Sequence, residues 1–200
     1  MIRLKLLEMS NDILDEALSY FTPEYLSELR EMKNEAFAES IVSRYAVSLL
    51  AKEEFWVEHF IPKIDFLEED FEDFCYSISH KNGNILVWIS NDTIWVAIEK
   101  LLDRDESDYG YFTPGELQTL GWKNQAAFHI WWTAKKSLIK YFESWIDDIY
   151  DIEIIRVTEE RNVLWDIAFN LALVLKFEDN YFKVYSWADD NWGFYFSVAA

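Results

Sequence analysis

The seven residues YFTPEYL (20–26) recur as YFTPGEL (111–117), residue 111 standing against residue 20 at an offset of 91. Repetition at a fixed spacing means that one supersecondary unit is used twice, which constrains the fold more than any local propensity does. Carried along the chain, the offset sets Ala36-Phe37 opposite Ala127-Phe128 and Arg44 opposite Lys135. In both copies a threonine (Thr22, Thr113) precedes a proline (Pro23, Pro114). Threonine caps a helix well, and proline suits the helix position where a missing N–H costs nothing. A long helical pattern follows each copy.

In the second copy that pattern runs over about 124–147, with Phe128, Trp131, Trp132, Leu138, Ile139, Phe142, Trp145 and Ile146 on one stripe. Lys135 falls in a gap of the stripe, so it either snorkels or faces a cleft, because an unpaired buried ammonium is very costly. Lys136 and Lys140, four apart, share a neighbouring face. Trp131 and Trp132 read as core.

Strands follow each helix. CYSISHK (75–81) and ILVWIS (85–90) flank Asn82-Gly83, a strong short hairpin signal. TIWVAIEKL (93–101) comes after a turn at Asn91-Asp92, which predicts a three-stranded meander. The second half predicts strands at 152–157, 164–177, 181–187 and 194–200, with polar turns at 158–162, 178–180 and 189–191. SWADDNWGFYFS (186–197) echoes SHKNGNILVWIS (79–90) position by position. The prediction is an α+β fold made of a pseudo-two-fold pair of similar halves, each a long helix packed on an antiparallel sheet. The halves are 1–101 and 102–200, joined through the acidic stretch LDRDESDYG (102–110) into one composite domain with a cleft between them.

Charge narrows the function classes. The net charge is -19, so the field repels polyanions, and neither nucleic acid nor an anionic membrane surface is an expected partner. One cysteine, Cys75, allows no internal disulfide, and His59, His80 and His129 do not form metal-ligand spacing with it. The opening MIRLKLLEMSND turns acidic too soon for a secretory segment, and the apolar stretch 163–175, broken by Asp166 and Asn170, is too short to span a bilayer. A cytoplasmic protein is the expectation. The run LEEDFED (67–73) reads as a solvated acidic face, with a basic partner as the alternative.

A strand ending in Ser79-His80, the strand VAIEK (96–100), the helix start YFTPGEL and the helix segment WTAKKSLIK (132–140) occur in that order. Together they resemble the signature of the two-repeat 4′-phosphopantetheinyl transferases, which modify carrier proteins. The likeness runs from about residue 20 to residue 200. It implies a transferase that binds coenzyme A between its halves, holds the diphosphate with Mg²⁺ and lets a carrier-protein serine attack. It further implies Glu99 as a metal carboxylate, Lys135 as the lysine of the motif, and Lys140, His80 and Arg44 as groups for the phosphates of coenzyme A.

Ala97 and Lys136 stand where the family carries further carboxylates. Mg²⁺ prefers oxygen ligands in near-octahedral array, so the departures imply weak Mg²⁺ binding or none. Lys136 then reads as an ion-pair partner of Glu99 that fills the metal position, since buried charges persist when paired. His80 is equally consistent with an ordinary hydrogen-bonded histidine. Two readings follow: a phosphopantetheinyl transferase-like protein of weak or lost activity, with an acyl or peptidyl carrier protein as partner, or a non-catalytic pseudoenzyme that contacts some other protein.

Overall fold

The computed structural model describes residues 2–33, 36–64, 68–70, 74–91, 95–100, 106–119, 125–142, 149–164, 167–189 and 194–199. The chain is mixed α+β, with two antiparallel sheets and several helices. It divides into two compact units, Met1–Val96 and Ala97–Ala200.

The first unit opens with strand β1 (Ile2–Glu8) and the helices α1 (Asn11–Tyr20), α2 (Pro23–Met32) and α3 (Phe37–Phe55), then strands β2 (Glu68–Asp70), β3 (Cys75–Lys81) and β4 (Asn84–Ser90). Pro23 begins α2 as the repeat predicts, and the Thr22 hydroxyl accepts from the Tyr25 N–H at 3.3 Å. The sheet order is β1-β4-β3-β2. Asn82 and Gly83 both take the left-handed conformation, φ 50 and 78, that a two-residue hairpin turn requires, and Lys81 pairs with Asn84 across it. Helix α3 packs on β3 and β4, and its Ile41, Val42, Ala46 and Val47 meet Tyr76, Ile78, Ile85 and Val87 in one core.

The second unit holds β5 (Trp95–Lys100), whose first residues precede the division, a 3-10 helix (Glu106–Tyr111), α4 (Pro114–Thr119) and α5 (Gln125–Tyr141). Four strands follow: β6 (Ile152–Leu164), β7 (Ile167–Phe177), β8 (Asn180–Asp189) and β9 (Phe194–Ala199), in sheet order β5-β9-β8-β7-β6. Phe128, Trp131, Leu138 and Ile139 of α5 join Ile152, Ile154, Leu173, Leu175 and Val184 in a second core, as their helical spacing predicts. Trp145 and Ile146, assigned to the same stripe, lie outside the described residues.

Three local expectations are corrected. Strand β5 is not the third strand of a meander: β1 occupies the second edge of β4, and β5 pairs with β9 instead. The polar stretch 158–162 is not a turn but part of β6, which continues to Leu164 with a register shift between Glu159 and Asn162. Because β6 is an edge strand, exposed polar side chains such as those of Thr158 and Glu159 suit it and protect it from further pairing. The hairpin echo fails in register, since Ser186 pairs with Ser197 where Ser79 pairs with Leu86. Four residues, 190–193, join β8 to β9, against two between β3 and β4. Of the acidic run 67–73, only the backbone strand Glu68–Asp70 is described.

Candidate functional site

Glu99 sits near the end of β5 and Lys136 in the middle of α5. Their side chains meet at 2.6 Å, the Lys136 ammonium donating to Glu99 Oε1. The indole N–H of Trp132, one helical turn before Lys136, donates to the same oxygen at 3.2 Å. Helical spacing thus gives the carboxylate two donors from one face of α5. The Glu99 side chain is 2% exposed and that of Lys136 26%, so the carboxylate is inside and the ammonium at the surface. Trp132 is half-buried and packs on Tyr111 at 4.8 Å between ring centroids, so it is part of the core margin as well as a donor.

This donor set does not fit Mg²⁺. Ala97, fully buried, offers no side-chain oxygen, and Glu99 Oε1 is taken by an ammonium and an indole. A divalent ion would have to displace a charge-assisted hydrogen bond and still find its remaining ligands elsewhere. Among the described residues no group of three or more His, Cys, Asp or Glu side chains could hold a metal. Lys140 follows Lys136 by one turn of α5 and is half-buried.

Lys135 points the other way, into the core of its unit. Its ammonium lies 3.0 Å from Glu116 Oε1, and both side chains are 1% exposed. It also donates to the carbonyls of Tyr111 at 3.4 Å and Ile149 at 3.5 Å, and stands 5.2 Å from the centroid of the Phe112 ring. Burial pulls the Lys135 ammonium below the ordinary lysine range, and Glu116 opposes that pull. Glu116 in turn accepts from the Thr113 N–H at 2.8 Å and the Ile154 N–H at 2.8 Å, while the Thr113 hydroxyl accepts from the Glu116 N–H at 3.2 Å. The reciprocal bonds between Thr113 and Glu116 form a capping box, and the pair joins the start of α4 to α5 and β6. Glu116 was not singled out in the sequence, although the spacing Thr113-x-x-Glu116 is a capping-box signal that could have found it.

In the first unit Arg44 is likewise enclosed, fully buried, donating to the carbonyls of Ser40 at 3.2 Å and Ile64 at 2.7 Å. Neither Arg44 nor Lys135 presents its cationic end to solvent. His80, near the end of β3, bonds through Nδ1 to Glu39 Oε2 at 2.8 Å, and the other oxygen of Glu39 accepts from the Gly83 N–H of the hairpin turn. Glu39 lies in the first turn of α3, where a carboxylate complements the helix dipole. Nothing in the sequence ties Glu39 to His80, which are 41 residues apart.

Compared with known proteins, the sequence matches no family model and no curated protein. Among the described residues no helix is long and apolar enough to cross a membrane.

Proposed function

We propose that the chain is a 4′-phosphopantetheinyl transferase-like protein that retains a coenzyme A site and has lost metal-dependent transfer. The family reaction moves phosphopantetheine from coenzyme A to a carrier-protein serine, which needs carboxylates free for a metal and for the serine proton. One observation carries the loss: Lys136 bonds Glu99 at 2.6 Å in the place of a carboxylate, and Ala97 supplies none. The reading includes a pseudo-two-fold relation between the halves. It is supported by the 91-residue offset and by a shared path, in which each unit pairs its first strand with its last.

The test incubates the protein with coenzyme A, Mg²⁺ and an apo acyl carrier protein, and follows intact mass alongside calorimetric binding of coenzyme A. The expected result is binding without a gain of mass. A phosphopantetheinylated carrier would overturn the loss of activity, and absence of coenzyme A binding would overturn the transferase-like reading itself.

A second reading, a protein-interaction module, rests on Trp56. This residue ends α3 in the left-handed conformation, φ 60, and is 86% exposed. Exposed tryptophan is the residue type most enriched at the energetic centres of protein interfaces.

A further inference from the structure

The geometry points to the groove between α1 and α3 as a binding site for a quaternary ammonium group, a proposal independent of the transferase-like reading. The groove, about 430 Å³ in volume, is lined by Asp15, Glu16, Ser19, Tyr20 and Tyr45. Asp15 and Ser19, and beside them Glu16 and Tyr20, stand four apart on α1, which sets them as two neighbouring rows on that helix. Tyr45 comes from the middle of α3, which packs against α1.

The two rings are the first reason. The centroids of Tyr20 and Tyr45 lie 5.4 Å apart and the planes are tilted by 57°, so the aromatic surfaces meet at an angle within the lining. The face of an aromatic ring is negative and attracts a cation. Both hydroxyls are tied, that of Tyr20 donating to the Phe60 carbonyl at 3.5 Å and that of Tyr45 to Glu16 Oε2 at 3.3 Å. Rings held in place before the ligand arrives lose less freedom on binding.

Charge is the second. Asp15 and Glu16 are exposed at the rim, and the total of -19 concentrates cations around the molecule. Among the described residues no cation of the chain stands over either ring. Lys52, two turns beyond Tyr45 on α3, is held instead by Glu58 at 2.8 Å.

Hydration selects the class of cation. The less exposed part of the lining is the pair of rings, which offers N–H donors no lone pair. The Ser19 hydroxyl already donates to the Asp15 carbonyl at 2.8 Å. A lysine ammonium is strongly hydrated and would leave its donors unmatched against the rings. A quaternary ammonium has no N–H to satisfy and keeps its full charge for the ring faces and the carboxylates.

The test is an NMR titration of the full chain with choline and, separately, with capped trimethyllysine, at ionic strength matched by sodium chloride. Tighter binding of choline identifies a free small molecule as the source of the cation, and tighter binding of trimethyllysine a protein side chain. Unmodified lysine and the neutral carbon isostere of choline are the comparison ligands. Saturable shifts are expected at Tyr20, Tyr45 and the backbone of Asp15, Glu16 and Ser19. Loss of one ring face in Tyr45→Leu should weaken binding by about two- to fivefold, while Tyr45→Phe stays within about twofold of wild type. Asp15→Asn should weaken it by about twofold, an effect that shrinks as salt is raised. If Tyr45→Leu does not fold, the comparison of choline with its isostere on wild type still decides. Equal binding of the isostere would overturn the cation site and leave only an apolar groove. Equal or tighter binding of unmodified lysine would overturn the quaternary class. Shifts reproduced by sodium chloride, or no saturable shift with either probe, would overturn the proposal as a whole.

Discussion

Lys135 and Glu116 form a fully buried ion pair at 3.0 Å, and the 91-residue offset that relates the two YFTP segments carries the pair onto Arg44 and Tyr25. In the second unit the cation meets a carboxylate. In the first it lies beside a phenol, whose hydroxyl donates to the Pro62 carbonyl at 2.7 Å while Arg44 bonds carbonyls. Each unit therefore buries a cation on its long helix and faces it with the residue three places after the capping threonine. The function of this arrangement is cohesion of the unit: it satisfies backbone groups where helix and loop meet the sheet.

Removing one partner of such a pair leaves an uncompensated buried charge. Glu116→Ala should destabilise the protein by about 3–5 kcal/mol, because it strands the Lys135 ammonium and two backbone N–H groups. Lys135→Met should cost less, since Glu116 keeps the Thr113 and Ile154 donors. The double variant should be less destabilised than the sum of the single ones. Urea denaturation of the full cycle measures this, and additivity would show that the two side chains do not depend on each other.

Tyr25 gives the first unit an alkaline limit. Burial is the main cause that raises its hydroxyl from 10.0 to about 12, with Glu28 adding to the rise and Arg44 opposing it. Between those values the unfolded chain has lost the phenolic proton and the folded chain has kept it, so stability falls as pH rises from 10.0 towards about 12. With allowance for partial exposure of the ring, the loss is about 1–2 kcal/mol. Tyr25→Phe should remove that increment from the alkaline limb of a stability profile. An unchanged limb would assign the alkaline loss to other groups.

What could be read from the sequence was local. Thr22-Pro23 and Thr113-Pro114 mark the helix starts, Asn82-Gly83 marks a hairpin, and the stripe from Phe128 to Phe142 marks a buried helix face. Each is decided within a few residues. The pairing of β5 is decided elsewhere, because β1 takes the only other edge of β4 and β9 lies almost a chain's half away. Lys135 shows the same limit within the candidate site. Its place in the apolar stripe announced an unusual lysine, but whether that lysine faced a ligand or a carboxylate depended on Glu116, 19 residues earlier. Lys136 and Glu99 were paired by chemistry before geometry, since a buried carboxylate persists where a cation stands beside it.

Trp56 occupies a backbone conformation that favours glycine, and its exposed side chain gains little from packing. Relief of left-handed strain is worth about 1–2 kcal/mol, against about 0.5–1 kcal/mol for the greater freedom of glycine in the unfolded chain. Trp56→Gly should therefore leave the fold unchanged and raise stability by a few tenths to about 1 kcal/mol. Thermal denaturation checks the sign. A stabilised variant means that tryptophan stands here against local preference, as the interaction reading requires; a destabilised one removes that support.

The remaining prediction concerns what Glu99 would do if its two neighbours were carboxylates. Lys136→Glu places a second carboxylate beside a buried one, and like charges at that spacing repel, so the single variant should lose stability. Ala97→Asp alone puts a carboxylate at a fully buried position with Lys136 still bonded to Glu99, and should also be destabilising. Combined, the two changes give three carboxylates with no ammonium among them, a donor set that suits a hard divalent cation. Mg²⁺ should then raise the melting temperature of the double variant, while leaving wild type and Ala97→Asp unaffected, because binding to the folded state alone stabilises it. The double variant should exceed the sum of the single responses, since either carboxylate without the other leaves the site incomplete or opposed by lysine. Ca²⁺ and EDTA serve as controls for ion size and for trace metal. If the double variant folds and its melting temperature does not respond to Mg²⁺, then Glu99 does not stand at a former metal position, and its bond to Lys136 is an ordinary tie between β5 and α5.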